Sequence, residues 1–315
     1  MKLKDLKKIT NAFAGNITPD KIHEIYNYMR KAGLDPGNIY QELEMDSGYV
    51  DTHRDTSFSG SPVSLHSHIF YEILFCRNTC GVEYLIGSNR YLLQQGDIVI
   101  VPPGISHRPI LPDSMSEPYK RDVIWISTTF FALLNTLVPE NTIEPGSLTL
   151  LLRTHGTKWE SLGTFFQNGI LESEQKAPGW ETAVLGNTIQ LMTQLFRAMT
   201  DSSAIPLKAE KPELTDSIMA YVERHLSEKI TLHDVSRRFY VSESTIVQSF
   251  RKKMGVSFYR CVTQQRLIAA KNLILEGISL DDVSHHVGFT DYSAFYRAFR
   301  QEYGISPRQY KNMQT

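Results

Sequence analysis

The feature that most constrains this chain is a quasi-repeat within its C-terminal third. Ile230-Thr231-Leu232-His233-Asp234-Val235-Ser236 returns 48 positions later as Ile278-Ser279-Leu280-Asp281-Asp282-Val283-Ser284. Past the turn that follows, the offset becomes 49, so that Ile246, Phe250, Arg251, Gly255 and Ser257 meet Phe295, Phe299, Arg300, Gly304 and Ser306. One residue has been inserted at the second turn.

Each copy reads as a short helix, a tight turn and a second helix. Ser236 and Ser284 put a small side chain where the second helix must cross closely. The second helix opens on a good N-cap, Ser242 in the first copy and Thr290 or Asp291 in the second. Ile246 and Phe250, like Phe295 and Phe299, face the first helix, which leaves the intervening residues outward, where they would enter a major groove. Gly288 supplies the positive φ that a helix-helix turn needs, whereas the first copy has Tyr240 at the equivalent place. Between the copies, Arg266 to Leu275 is a strong helix former ended by Gly277. Such a connector would hold two reading helices one DNA turn apart, about 34 Å.

The rest of the chain has a different texture. From Pro19 to Ala32, Ile22, Ile25, Tyr26 and Met29 recur at helical spacing, so residues 1–45 read as a helical extension. Between 46 and 145 come short β-rich runs, 71–75, 98–101 and 123–126, separated by Gly, Pro, Asn and Ser. Helical periodicity returns over 146–200 and is clearest in Leu185, Ile189, Met192, Leu195, Phe196 and Met199, one stripe that can dock on the β region or on a second copy of itself. Residues 201–212 lack periodicity and carry two prolines, which reads as a linker before a helical domain over 213–315.

Composition excludes several classes. A 41% hydrophobic content fits a globular protein, no apolar run approaches the roughly 18 residues of a membrane span, and no signal-peptide core follows the Lys-rich start. A cytoplasmic location is expected, with no membrane partner. Cys76, Cys80 and Cys261 form neither an even framework nor a CxxC pair, which argues against disulfides and structural zinc. The net charge of −1 hides an asymmetry: residues 213–315 hold 14 Lys and Arg against 11 Asp and Glu, a net of +3, leaving −4 for the remainder. The C-terminal part is the better candidate for a polyanion partner.

With these residues in place, the segment from Leu214 to Lys311 resembles the AraC/XylS family of DNA-binding regulators. The resemblance is carried by Arg266-Leu267 with Ala270, Gly288-Phe289, Phe295, Phe299, Gly304, Ser306-Pro307 and Tyr310; Ser236, Ser284 and Tyr240 depart from it. It implies base-reading positions at Ser244, Val247 and Gln248 in the first unit and at Ser293, Tyr296 and Arg297 in the second. The repeat pairs the same residues with one another. Arg297 can bond guanine O6 and N7, and Gln248 adenine N6 and N7. Arg251, Lys252 and Lys253, at the end of the first reading helix, suit phosphate. Arg266 reads as a structural ion-pair partner.

The β region carries a second resemblance. Alternation along a strand would place His66, His68, Phe70 and Glu72 on one face. Gly60-x5-His66-x-His68-x3-Glu72 and Gly96-x5-Pro102-x-Gly104-x2-His107 resemble the two cupin motifs, the first departing only beyond Glu72. The resemblance implies a cupin-like jelly roll whose pocket, with His66, His68, Phe70, Glu72 and His107, takes a small-molecule effector. His66, His68, Glu72 and His107 would be the ligands if a divalent metal is bound, the one cofactor this pocket suggests.

The expected architecture is a multidomain α+β chain: a cupin-like β jelly roll with flanking helices, then an all-α domain of two helix-turn-helix units. The expected function is effector-controlled transcription regulation as a homodimer on double-stranded DNA, with RNA polymerase as a further partner and no catalytic residues. The alternative is a cupin metalloenzyme fused to a DNA-binding module.

Overall fold

A computed structural model describes residues 44–58, 63, 65–137, 150–201 and 205–314. The helical extension expected over 1–45 lies outside the described residues apart from its last two, and so does Gly60. The chain divides into two compact units, Ser47–His225 with Ile230–Val262, and a second containing Leu226–Lys229 and Thr263–Thr315. Its N-terminal part is β-rich and its C-terminal part helical.

In the first unit the strands are β1 (Val50–Ser57), β2 (Tyr71–Cys76), β3 (Glu83–Ile86), β4 (Asn89–Leu92), β5 (Asp97–Val101), β6 (His107–Ile110), β7 (Tyr119–Ile126), β8 (Leu150–Arg153) and β9 (Ile205–Pro206). They form an antiparallel six-stranded sheet, β1-β7-β2-β5-β8-β9, and a three-stranded sheet, β4-β3-β6. The three apolar runs read from the sequence are β2, β5 and β7, neighbours at the centre of the large sheet. β5 is buried at every residue because both faces of that sheet are covered. Ile73, Ile98, Ile100, Ile124 and Ile126 pack into one core with helices α1 (Thr128–Leu137), α2 (Gly163–Gln175) and α3 (Trp180–Thr200). Leu74, Val99, Val101 and Val123 alternate to the other side and share a second core with Tyr84, Ile86 and Tyr91 of the small sheet.

The α3 stripe has a partner within its own protomer. Met192, Leu195 and Phe196 are buried in the first core, Leu185 and Ile189 pack at its margin, and Met199 is exposed. The stripe therefore docks on the β region, because a large sheet with an uncovered apolar face is the nearest surface available to it. The expected linker also differs from a free connector: β9 pairs with β8, and the Glu210 amide donates to the Arg90 carbonyl at 2.7 Å.

The unit continues through α4 (Leu214–Arg224), α5 (Leu232–Phe239), α6 (Glu243–Met254) and the start of α7 (Phe258–Leu275). The two compact units part on either side of Leu226–Lys229 and again within α7, between Val262 and Thr263. Helix α4 opens on a capping box in which Glu213 and Asp216 bond each other's backbone amides. Tyr240 ends α5 at φ +54° with its side chain 95% exposed, so the first turn holds a left-handed residue with neither glycine's freedom nor burial in return. α7 begins earlier than expected, behind Ser257, whose hydroxyl accepts from the Arg260 amide.

In the second unit, α7 packs with α8 (Leu280–His286), α9 (Tyr292–Tyr303) and α10 (Pro307–Gln314) around Leu267, Ala270, Ile274, Val283, Phe295, Phe299 and Tyr310. Gly288 has φ +78°, and a Cβ there would lie 2.1 Å from the Leu226 carbonyl oxygen, so the second turn admits no side chain. Among the described residues no helix is long and apolar enough to cross a membrane.

Candidate nucleic-acid interface and histidine pocket

Helix α6 is started by Ser242, whose hydroxyl accepts from the Thr245 amide at 3.1 Å. Ile246, Phe250 and Met254 are buried. Ser244, Gln248, Arg251 and Lys252 are exposed and Val247 half-buried, and their spacing of three and four places them along one face. Lys253 is held by Glu213 at 3.1 Å. In α9 the N-cap is Asp291, which accepts from the Ala294 amide at 2.7 Å; Thr290 instead donates to Asp291. The Ala294 amide bond, assisted by Thr290 and Arg297, holds the Asp291 carboxyl below its usual range. Phe295 and Phe299 are buried, Ser293 and Arg297 exposed, and Tyr296 half-buried. The two helices thus present repeat-equivalent outward faces.

Arg266 is structural, but not through an ion pair. Its guanidinium donates to the Leu226 and Glu228 carbonyls at 3.1 and 2.7 Å and lies 5.9 Å from the Phe289 ring centre. Backbone carbonyls replace the carboxylate that sequence reasoning assigned to it.

The histidine motif folds differently from the strand expected. β2 begins only at Tyr71, residues 67–68 have no regular structure and 69–70 form a bend, so alternation does not bring the histidines together. His66 makes an isolated antiparallel bridge to His107, which brings the two rings to 4.4 Å. The His68 ring lies 4.7 Å from that of His107 and stacks on Phe70 at 4.0 Å. Glu72, on β2, points its Oε2 at His107 Nε2 (3.2 Å) and His68 Nε2 (3.8 Å). One nitrogen each of His68 and His107 and one oxygen of Glu72 lie within 4.8 Å of one another.

The electrostatics of this cluster follow from two backbone bonds. His68 Nδ1 sits 2.8 Å from the Phe70 carbonyl and His107 Nδ1 2.8 Å from the Ile105 carbonyl. A carbonyl only accepts, so both Nδ1 atoms carry hydrogen, and in the neutral rings both Nε2 lone pairs face a carboxylate. Burial raises the Glu72 pKa, but the bonds and charges of His107 and His68 outweigh it and hold the carboxyl well below its usual range.

Two residues of the pocket escaped sequence reasoning. Trp125 pairs with Glu72 in the β2–β7 register and donates its indole N–H to Glu72 Oε1 at 3.0 Å. Tyr84 donates its hydroxyl to Oε2 at 3.3 Å. Burial and the Glu72 charge push the Tyr84 pKa well up, so it stays a donor. The signal available for Trp125 was its place at every second position of an apolar run, which any core residue shares.

Comparison with known proteins finds similarities over parts of the chain. A family described as a helix-turn-helix domain matches residues 235–313. The transcriptional activator RhaS of Citrobacter koseri is 23% identical over 247 residues, 77% of this chain and 85% of its own length. The probable transcriptional regulator LumQ of Photobacterium leiognathi is 31% identical over 128 residues, 40% of this chain and half of its own. Among solved structures, ToxT from Vibrio cholerae superposes with a TM-score of 0.35 at 14% identity, covering 85% of this chain and 99% of its own.

Proposed function

We propose that this chain, whose residues 235–313 match a helix-turn-helix domain and which is similar to the transcriptional activator RhaS, is a regulator of the AraC type that reads double-stranded DNA with the outward faces of α6 and α9 under the control of a ligand in the histidine pocket. The relatives are regulators and not enzymes, and the reading as a metalloenzyme fused to a DNA-binding module finds no support among them.

The observation that carries the DNA reading is the pair of capped helices with equivalent exposed faces. Ser244, Val247 and Gln248 on α6, with Ser293, Tyr296 and Arg297 on α9, would face base edges, while Arg251 and Lys252 meet phosphate. Selection of bound DNA from a random pool with the full chain tests this. Enrichment of a site with two sequence elements about one helical turn apart supports it, and binding without sequence enrichment would overturn it.

In this reading residues 46–145 form a cupin-like jelly roll that senses the effector, 146–200 connect, and 213–315 read DNA. Two antiparallel sheets sharing one core support the jelly roll. His66, His68, Phe70, Glu72 and His107 would line the effector site, joined by Tyr84 and Trp125. One observation favours a second occupant: two imidazole Nε2 atoms and a carboxylate oxygen converge as a divalent cation needs. His68, Glu72 and His107 would then hold the ion, with His66 beside them, and the ion would supply a fixed positive charge for an anionic effector group. A homodimer, a cytoplasmic location and contact with RNA polymerase are proposed on likeness to the family, since the α3 stripe no longer argues for a dimer.

A further inference from the structure

The two faces of the small sheet have different neighbours. Register places Leu85 of β3 opposite both Arg90 of β4 and Arg108 of β6, so these three share one face. Tyr84, Ile86 and His107 share the other, and two of them touch Glu72. The sheet thus carries the pocket on one side and a pair of arginines on the other.

Both arginines reach the helices. Arg108 is 7% exposed. Its Nη2 donates to the Lys253 carbonyl at 2.7 Å and its Nη1 to the Met254 carbonyl at 2.9 Å. Those carbonyls belong to the last turn of α6, where the helix leaves acceptors unpaired and its dipole is negative. Arg108 is therefore a C-cap supplied from another element. Arg90 adds a second tie, bonding Glu213 at 2.9 Å, and Glu213 in turn holds Lys253 at 3.1 Å.

We propose that Arg108 transmits the state of the histidine pocket to the first DNA-reading helix. Anything that moves His107 moves the next residue of the same four-residue strand, and with it the cap on the last turn of α6. The inference rests on the reading of that pocket as the control site. A merely structural cap would stabilise α6 equally whatever happens in the pocket.

Amide hydrogen exchange on the full chain separates these cases. His68 is the perturbation of choice, because it touches the His107 ring from a different segment. In His68→Ala the amides of residues 251–255 should exchange about tenfold faster than in the unsubstituted protein, while those of α9 are unchanged. In an Arg108→Gln background the same substitution should change nothing further. If His68→Ala fails to fold, as judged by lost protection of β2, β5 and β7 in the same compact unit, His68→Gln replaces it. No response of α6 to the pocket variant, or an equal response with and without Arg108, would overturn the coupling. Titration with zinc chloride alone forms a separate arm: an Arg108-dependent response to His68 substitution without zinc binding leaves the coupling standing and removes the metal reading.

Discussion

His107 and Arg108 are bonded neighbours that serve opposite faces of one sheet: the imidazole lies 3.2 Å from Glu72, and the guanidinium lies 2.9 Å from the Met254 carbonyl at the end of α6. Period-two alternation makes this arrangement unavoidable once β6 forms. The histidine pocket and the helix proposed to read DNA are thereby joined through a single peptide unit.

Arg297→Ala should relax specificity at one base position at a cost of about 1–3 kcal/mol, because an exposed guanidinium on α9 is suited to a guanine edge. Lys252→Ala should weaken all sequences alike and reduce the salt dependence. Affinity measured over single-base variants of the selected site at several salt concentrations distinguishes the two, and uniform loss for both mutants would remove the base-contact assignment.

The two turns should respond in opposite directions to substitution. Tyr240→Gly relieves a left-handed tyrosine that is fully in solvent and should raise stability by about 1 kcal/mol. Gly288→Ala should destabilise, since its Cβ would collide with the Leu226 carbonyl. Thermal melts of the two variants check the pair, and a stabilising Gly288→Ala would contradict the turn geometry.

Lys271 makes the stability of the second unit rise toward alkaline pH. Burial pulls its pKa down to about 7, a shift that Glu302 only partly opposes, and its ammonium lies 5.0 Å from the Tyr303 ring centre. An unfolded lysine keeps its proton to about pH 10.4. Between those values the unfolded chain binds more protons than the folded one, so stability should rise with pH across that window. Lys271→Met should flatten the rise, as read from denaturant midpoints at pH 7 and 9.5.

Substitution in the α3 stripe should damage the protomer itself. Leu195→Ala removes a fully buried side chain and should cost about 2–5 kcal/mol. Met192→Glu, which a dimer-interface reading expects to give folded monomers, should instead unfold the first unit, because the carboxylate would enter a closed core. A folded, monomeric Met192→Glu protein by sedimentation and circular dichroism would restore the interface reading.

Several of these features were legible in the residues alone. The strands β2, β5 and β7 announce themselves as short runs of apolar, β-favouring residues, and the double helix-turn-helix as a repeat with caps and an apolar spacing. The histidine cluster was legible as a motif, though for a wrong geometric reason, since His66 and His68 lie ahead of β2 and are brought in by the bridge to His107. Trp125 and Tyr84 were not, because a buried aromatic that donates to a carboxylate has the same local signature as one that merely packs.

What the sequence by itself determined is therefore local: helix starts at Ser242 and at Thr290 or Asp291, the glycine turn at Gly288, and the alternation that splits Ile98 and Val99 between two cores. These follow from bonding and sterics within a few residues. Tertiary structure alone decided what the α3 stripe covers, which acceptors satisfy Arg266, and that Arg108 caps α6. An apolar stripe or an arginine carries no record of its partner in its own neighbours, and the choice among partners is made only when distant segments compete for the same surface.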